Sequence, residues 1–334
     1  MFKWLILLLL VITTPLGANN NFNEAINLFK QRNYDESRII FEILSRQDKE
    51  NDRIYYYLGR LELIENDYKE AIKYFQKAID RNENESNYHY WLVVAIMRKI
   101  PYSNFFGKMT NSMKMMKELK KAIELDSTDV KPRMMGFNMF VHSYGKGPFK
   151  KEDIIKMAND IQKIDSIRSY IAFANIYYYV TDEQEKVEEE YIKAMSLASD
   201  SSFVISNYAD YLFKVRRYDE AILLYENYLQ KNPADINVKF DLGVTYIISG
   251  KNYKRAQECF ENCLNLKSDY GMPSKAMIHW SLGLAYYLLG QNDKAEKEWE
   301  TVKTLDKDFK KVLEAFPQIK KMSKILKEKK QNEK

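Results

Sequence analysis

A chain of 334 residues with 46% hydrophobic and 30% charged side chains has enough length and apolar content to bury a core, which excludes a disordered protein. Eleven Gly and seven Pro are too few for a turn-rich sandwich or barrel and suit long helices joined by short turns. The net charge of +5 gathers at the end, where residues 310–334 hold nine Lys against three Glu, so the rest is near neutral and lacks the basic face of a nucleic-acid binder.

In chain order, residues 1–18, MFKWLILLLLVITTPLGA, carry one Lys, an apolar run from Trp4 to Ile12, then Pro15 and small residues. That is the order of a signal peptide, with cleavage expected after Ala18 and export to the periplasm or beyond the cell. The run is shorter than the roughly 20 residues that span a bilayer as a helix, so no integral membrane span is expected.

Residues 58–78, LGRLELIENDYKEAIKYFQKA, set small Gly59, Ala71 and Ala78 among large Leu58, Tyr68 and Phe75. The same order of sizes returns at Leu282, Gly283, Tyr286, Gly290, Ala295 and Trp299, and again from Tyr218 to Pro233. Recurrence of this kind is the mark of stacked helical repeats. With Asp52 as position one, Tyr55, Leu58, Gly59, Tyr68, Ala71, Phe75 and Ala78 resemble the tetratricopeptide repeat, a helix-turn-helix of about 34 residues.

The resemblance implies an all-α fold, a right-handed superhelical solenoid of antiparallel helix pairs over residues 19–309. Its units lie near 18–51, 52–85, 86–129, 130–167, 168–201, 202–235, 236–270 and 276–309. Small residues at Ala71, Ala221, Ala256 and Ala295 are expected where the helices of a pair meet. Insertions around KIPYSNFFGKMTN and SYGKGPF lengthen the turns of the third and fourth units. These turns are expected as edge loops presenting Tyr102, Phe105, Phe106, Tyr144 and Phe149. Residues 310–334 are read as a capping helix with Val312, Phe316, Ile319, Met322 and Ile325 at helical spacing, ending in a basic tail that fits weak contact with a membrane surface.

No chemistry-bearing constellation stands out. His89, His142 and His279 share no metal-ligand spacing, and Gly145–Gly147 lacks the longer pattern of a phosphate loop. Cys259 and Cys263 are four apart on one helix, where a disulfide would close almost no loop, and Cys263 takes a small-residue core position. No catalytic residue, metal or cofactor is assigned, and the chain is read as a non-enzymatic scaffold.

In the resembling family, positions two, five, nine, twelve and thirteen of each first helix line a concave groove. Carried onto this sequence, they give Tyr56, Tyr90, Phe203, Phe240, Val244, Met277, Trp280 and Leu284 as the candidate lining, with Phe240 and Trp280 as its centre. A protein or peptide segment held there, in an adaptor of the cell envelope, is the functional expectation. A small-molecule or lipid-binding component of a transport system is the alternative.

Overall fold

The computed structural model describes residues 15–146, 150–266 and 273–332, with side chains from residue 20 onward. The expected signal segment through residue 14 and the edge-loop candidate Phe149 lie outside the described residues. The described chain is an all-α helical repeat with no strand. One compact unit ends at Leu125 and contains α1 (Pro15–Lys30), α2 (Tyr34–Gln47), α3 (Asp52–Ile64), α4 (Tyr68–Arg81), α5 (Ser86–Lys99) and α6 (Phe105–Leu125). Ala18, the expected cleavage point, falls inside α1.

A second unit begins at Asp126 and contains α7 (Val130–His142), α8 (Lys151–Gln162), α9 (Ser166–Ile176), α10 (Gln184–Leu197), α11 (Ser202–Lys214), α12 (Tyr218–Lys231), α13 (Ile236–Ser249), α14 (Tyr253–Leu264), α15 (Lys275–Leu288) and α16 (Asn292–Leu305). It ends in α17 (Phe309–Ala315) and α18 (Pro317–Asn332). In each unit successive helices pair as neighbours, and each pair packs on the next.

The size order of the sequence is a packing code. A Cβ added at Gly59 would lie 2.8 Å from Phe75 Cε1, one at Gly243 2.6 Å from Phe260 Cε1, and one at Gly283 2.5 Å from Trp299 Nε1. Those separations are below van der Waals contact, so each ring seats only because the facing helix lacks a side chain there. Ala71, Ala221, Ala256 and Ala295 on the second helices are all fully buried. Deletion of a large side chain at these points brings the helix axes close, and a branched one would overpack.

The turns repeat as well. Arg32, Asn66 and Arg216 have φ of 62°, 64° and 65°, and Gly250 and Gly290 have 68° and 75°, each one closing a first helix in the left-handed region. Side chains then start the following helix: Asp67 accepts from the Glu70 amide at 3.0 Å and Asn252 from the Arg255 amide at 3.1 Å. The fifth pair departs from this plan, because α9 runs into a π-helical turn, Tyr177–Thr181, that ends at Asp182 with φ of 56°.

Two expectations need correction. The insertion of the third pair is a helical extension, not an edge loop: after a short 3-10 turn, Ile100–Tyr102, the Asn104 side chain accepts from the Gly107 amide at 2.8 Å and starts the 21-residue α6. Phe105 and Phe106 are in its first turn, while Tyr102 packs on Tyr68 with ring centroids 5.7 Å apart. The C-terminal segment is two helices rather than one cap. Pro317 has no amide hydrogen to continue α17, and it holds Phe316 in extended backbone with ψ of 115°.

Gly243→Ala is expected to lower stability by roughly 1–3 kcal/mol, because the fully buried Phe260 ring has nowhere to move. Arg216→Gly is expected to raise it by up to about 1 kcal/mol, since the left-handed backbone costs an L side chain that much. Urea unfolding of both variants checks the pair of signs.

Candidate functional site

The C-terminal segment folds back onto the last helix pairs. Helix α18 packs against α13 and α15, the first helices of the last two pairs. Ile319 and Met322 are its buried side chains, and Phe316, Ile325 and Leu326 beside them are half-buried. The Lys321 ammonium lies 4.7 Å from the Phe213 ring centroid on α11. Lys330 lies 4.8 Å from Trp299 and 5.5 Å from Tyr287. The helix therefore runs from α11 past α13 to α15.

Burial corrects most of the expected groove. Phe240, Val244, Met277, Trp280 and Leu284 are buried, none more than 6% exposed, instead of lining an open surface. Phe240 packs on Phe260 with centroids 5.4 Å apart, and Trp280 is covered by Phe309 of α17 at 6.3 Å. These residues are core. Phe203 is half-buried against the core of α7, α8 and α9, with the Arg168 guanidinium 5.1 Å from its ring.

The first unit keeps a partly accessible lining. Tyr56 and Tyr90 are half-buried, and the Tyr56 hydroxyl accepts from Arg60 Nη1 at 3.1 Å. Arg60 stacks 3.6 Å from the Trp91 centroid and 5.3 Å from Phe29, while Arg53 lies 4.7 Å from Phe22. Aromatic faces attract the guanidinium groups and hold them in place. Tyr88 backs Tyr56 at 5.4 Å and donates to Asp52 Oδ2 at 3.0 Å.

Among the edge-loop candidates, Phe105 and Phe106 are 76% and 72% exposed, in contact with each other at 5.7 Å. Tyr144 is half-buried and packs back onto the α7–α9 core. His89 on α5 joins two helices: it contacts Glu118 Oε2 of α6 at 2.6 Å and the Glu83 carbonyl at 3.0 Å. The hydrogen bond from His89 holds the Glu118 carboxyl below its usual range, against the opposite pull of burial. Burial pushes the Cys259 thiol up to about 12 and that of Cys263 well above its ordinary value, so neither is a ready nucleophile. Among the described residues no group of three or more His, Cys, Asp or Glu is placed to hold a metal ion, and no helix is long and apolar enough to cross a membrane.

One acid was missed by sequence reasoning. Asp241 interrupts the apolar run INVKFDLGVTYII on α13, and that interruption was the available signal. Burial, with the negative charges of Asp210 and Asp235, pushes its carboxyl up to about 7. A cleft of 340 Å³ lies elsewhere, between α12, α13 and α14, floored by Leu242, Tyr246 and Cys259 and rimmed by Glu226, Lys239, Arg255 and Glu258.

A family model described as tetratricopeptide repeat matches residues 22–86 and 249–302. Among solved structures, that of the yeast Tom70 aligns with a TM-score of 0.58 and 15% identity over 88% of this chain and 59% of that one. This chain thus spans about three fifths of the Tom70 chain. TTC0263, a thermophilic TPR protein of Thermus thermophilus, aligns at 0.47 and 14% identity over 59% of this chain and 99% of that one. YrrB, a TPR protein with an unusual peptide-binding site, aligns at 0.38 and 18% identity over 59% and 96%. No match was found among curated protein sequences.

Two outcomes follow from the burial. Trp280→Ala is expected to cost roughly 3–5 kcal/mol of stability, as a core truncation does, and denaturant unfolding reads it. The raised Asp241 carboxyl favours the folded state most below the ordinary carboxylate value of about 4, and that advantage is lost as pH rises through about 7. Asp241→Asn should therefore melt close to the wild type at pH 4.5 and above it at pH 8, and an unchanged difference across that range would contradict the assignment.

Proposed function

The chain is a tetratricopeptide repeat protein, and on that premise we propose that it is a non-enzymatic adaptor of the cell envelope that holds a protein segment on the face formed by its first helices. The fold supports a protein-protein interaction scaffold in general. One observation carries the finer reading: in the second unit that face already holds a helix, so its shape and chemistry suit helical protein. Tyr56, Tyr90, Arg53 and Arg60 of the first unit supply the aromatic and cationic side chains that dominate binding hot spots. Export rests on the order of residues 1–18 and gives the adaptor its address in the periplasm or outside the cell.

The test is capture of the tagged chain, made from its full sequence, out of native envelopes. A protein should be recovered with the wild type and lost, or weakened at least about tenfold, with Tyr56→Ser/Tyr90→Ser. The intact mass of the recovered chain should begin near Asn19. Recovery with bound lipid and no protein would favour a carrier instead, and a retained Met1 would contradict export.

A further inference from the structure

The helix seated in the second unit defines what else fits there. Its apolar stripe is Ile319, Met322, Ile325 and Leu326, spaced three, three and one, which places all four on one face of a helix. Lys321 and Lys330, nine residues apart and so about 14 Å along the axis, set their ammonium groups against Phe213 and Trp299 at the two ends. The face thus reads two apolar anchors three residues apart, with one cation between them in sequence and a second eight residues beyond, each resting on an aromatic ring.

The same helix is lightly held. Of its 16 residues, Ile319 and Met322 alone are buried, and it joins α17 through the break at Phe316 and Pro317. Elements with few buried contacts open at low free energy. A tethered occupant still competes with any free ligand, because its local concentration is high.

We propose that α18 is an intramolecular ligand of this face, and that the partner is a lysine-bearing amphipathic helix of the same anchor spacing, which binds by displacing it. The proposal rests on the adaptor reading for its biological use. Seated, the helix occupies the surface of α13 and α15 until a matching segment arrives. Partner binding then releases residues 317–334 as a basic segment, coupling occupancy of the face to exposure of the C-terminus.

A fluorescent peptide of residues 317–332 tests this on the full chain. It should bind the Ile319→Glu/Met322→Glu variant roughly tenfold or more tighter than the wild type, since the variant has lost its own competitor. The same peptide with Ile319→Ser and Met322→Ser should not bind. Equal affinity for both chains, or no binding to a double variant of unchanged helix content, would overturn the proposal. Should the double variant lose helix content, a chain with a protease site placed between Phe316 and Pro317, cut after folding, replaces it. The cut fragment should exchange with labelled peptide while the rest stays helical, and release only on unfolding would overturn the displaceable seat. Wild-type dimerisation that the peptide blocks would overturn the choice of partner in favour of a second copy. If the peptide binds as expected but envelopes yield no protein, the adaptor reading fails and the seat stands; a failed peptide with successful capture means the reverse.

Discussion

The contact of Gly59 with Phe75, of Gly243 with Phe260 and of Gly283 with Trp299 sets the spacing on which these pairs depend. A side chain missing from one helix lets a ring from the other fill the gap, so the axes approach and the ring is enclosed on both sides. The second helix spends its large residue inward, on its own pair. The first helix is left with apolar residues on a further face, and only a neighbouring pair or an added segment can cover them.

At the end of the chain that added segment is supplied in two pieces. Phe309 of α17 covers Trp280, and the break imposed by Pro317 lets α18 turn back over α13 and α15. Without α18, the surfaces of α13 and α15 on which it packs would be bared. Desolvation raises the carboxyl of the half-buried Asp241 on α13.

The helix pairs were legible because size order at fixed intervals has few other causes. Gly250 and Gly290 announce their left-handed turns, whereas Arg32 and Arg216 adopt the same backbone with side chains that give no warning. The extension of α6 was hidden by Ser103, Asn104 and Gly107, which read as loop residues; here Asn104 acts as a helix start, and the following Met, Lys and Glu continue the helix. The fold-back was not legible at all. A stripe of Val312, Phe316, Ile319 and Met322 has the same period whether it closes the end of a stack or lies along its face. Repeat position alone assigned Phe240 and Trp280 to an open lining, whereas Phe240 packs on Phe260 within its own pair and Trp280 is covered by Phe309 of a later segment.

Hydrogen exchange on the full chain and on a chain ending at Phe316 tests most directly that α18 covers the face of the first helices. The account predicts that removal of residues 317–334 raises exchange in residues 236–249 and 275–288 while residues 52–81 keep their protection. Unchanged protection in α13 and α15, or an equal rise along the whole chain, would contradict it.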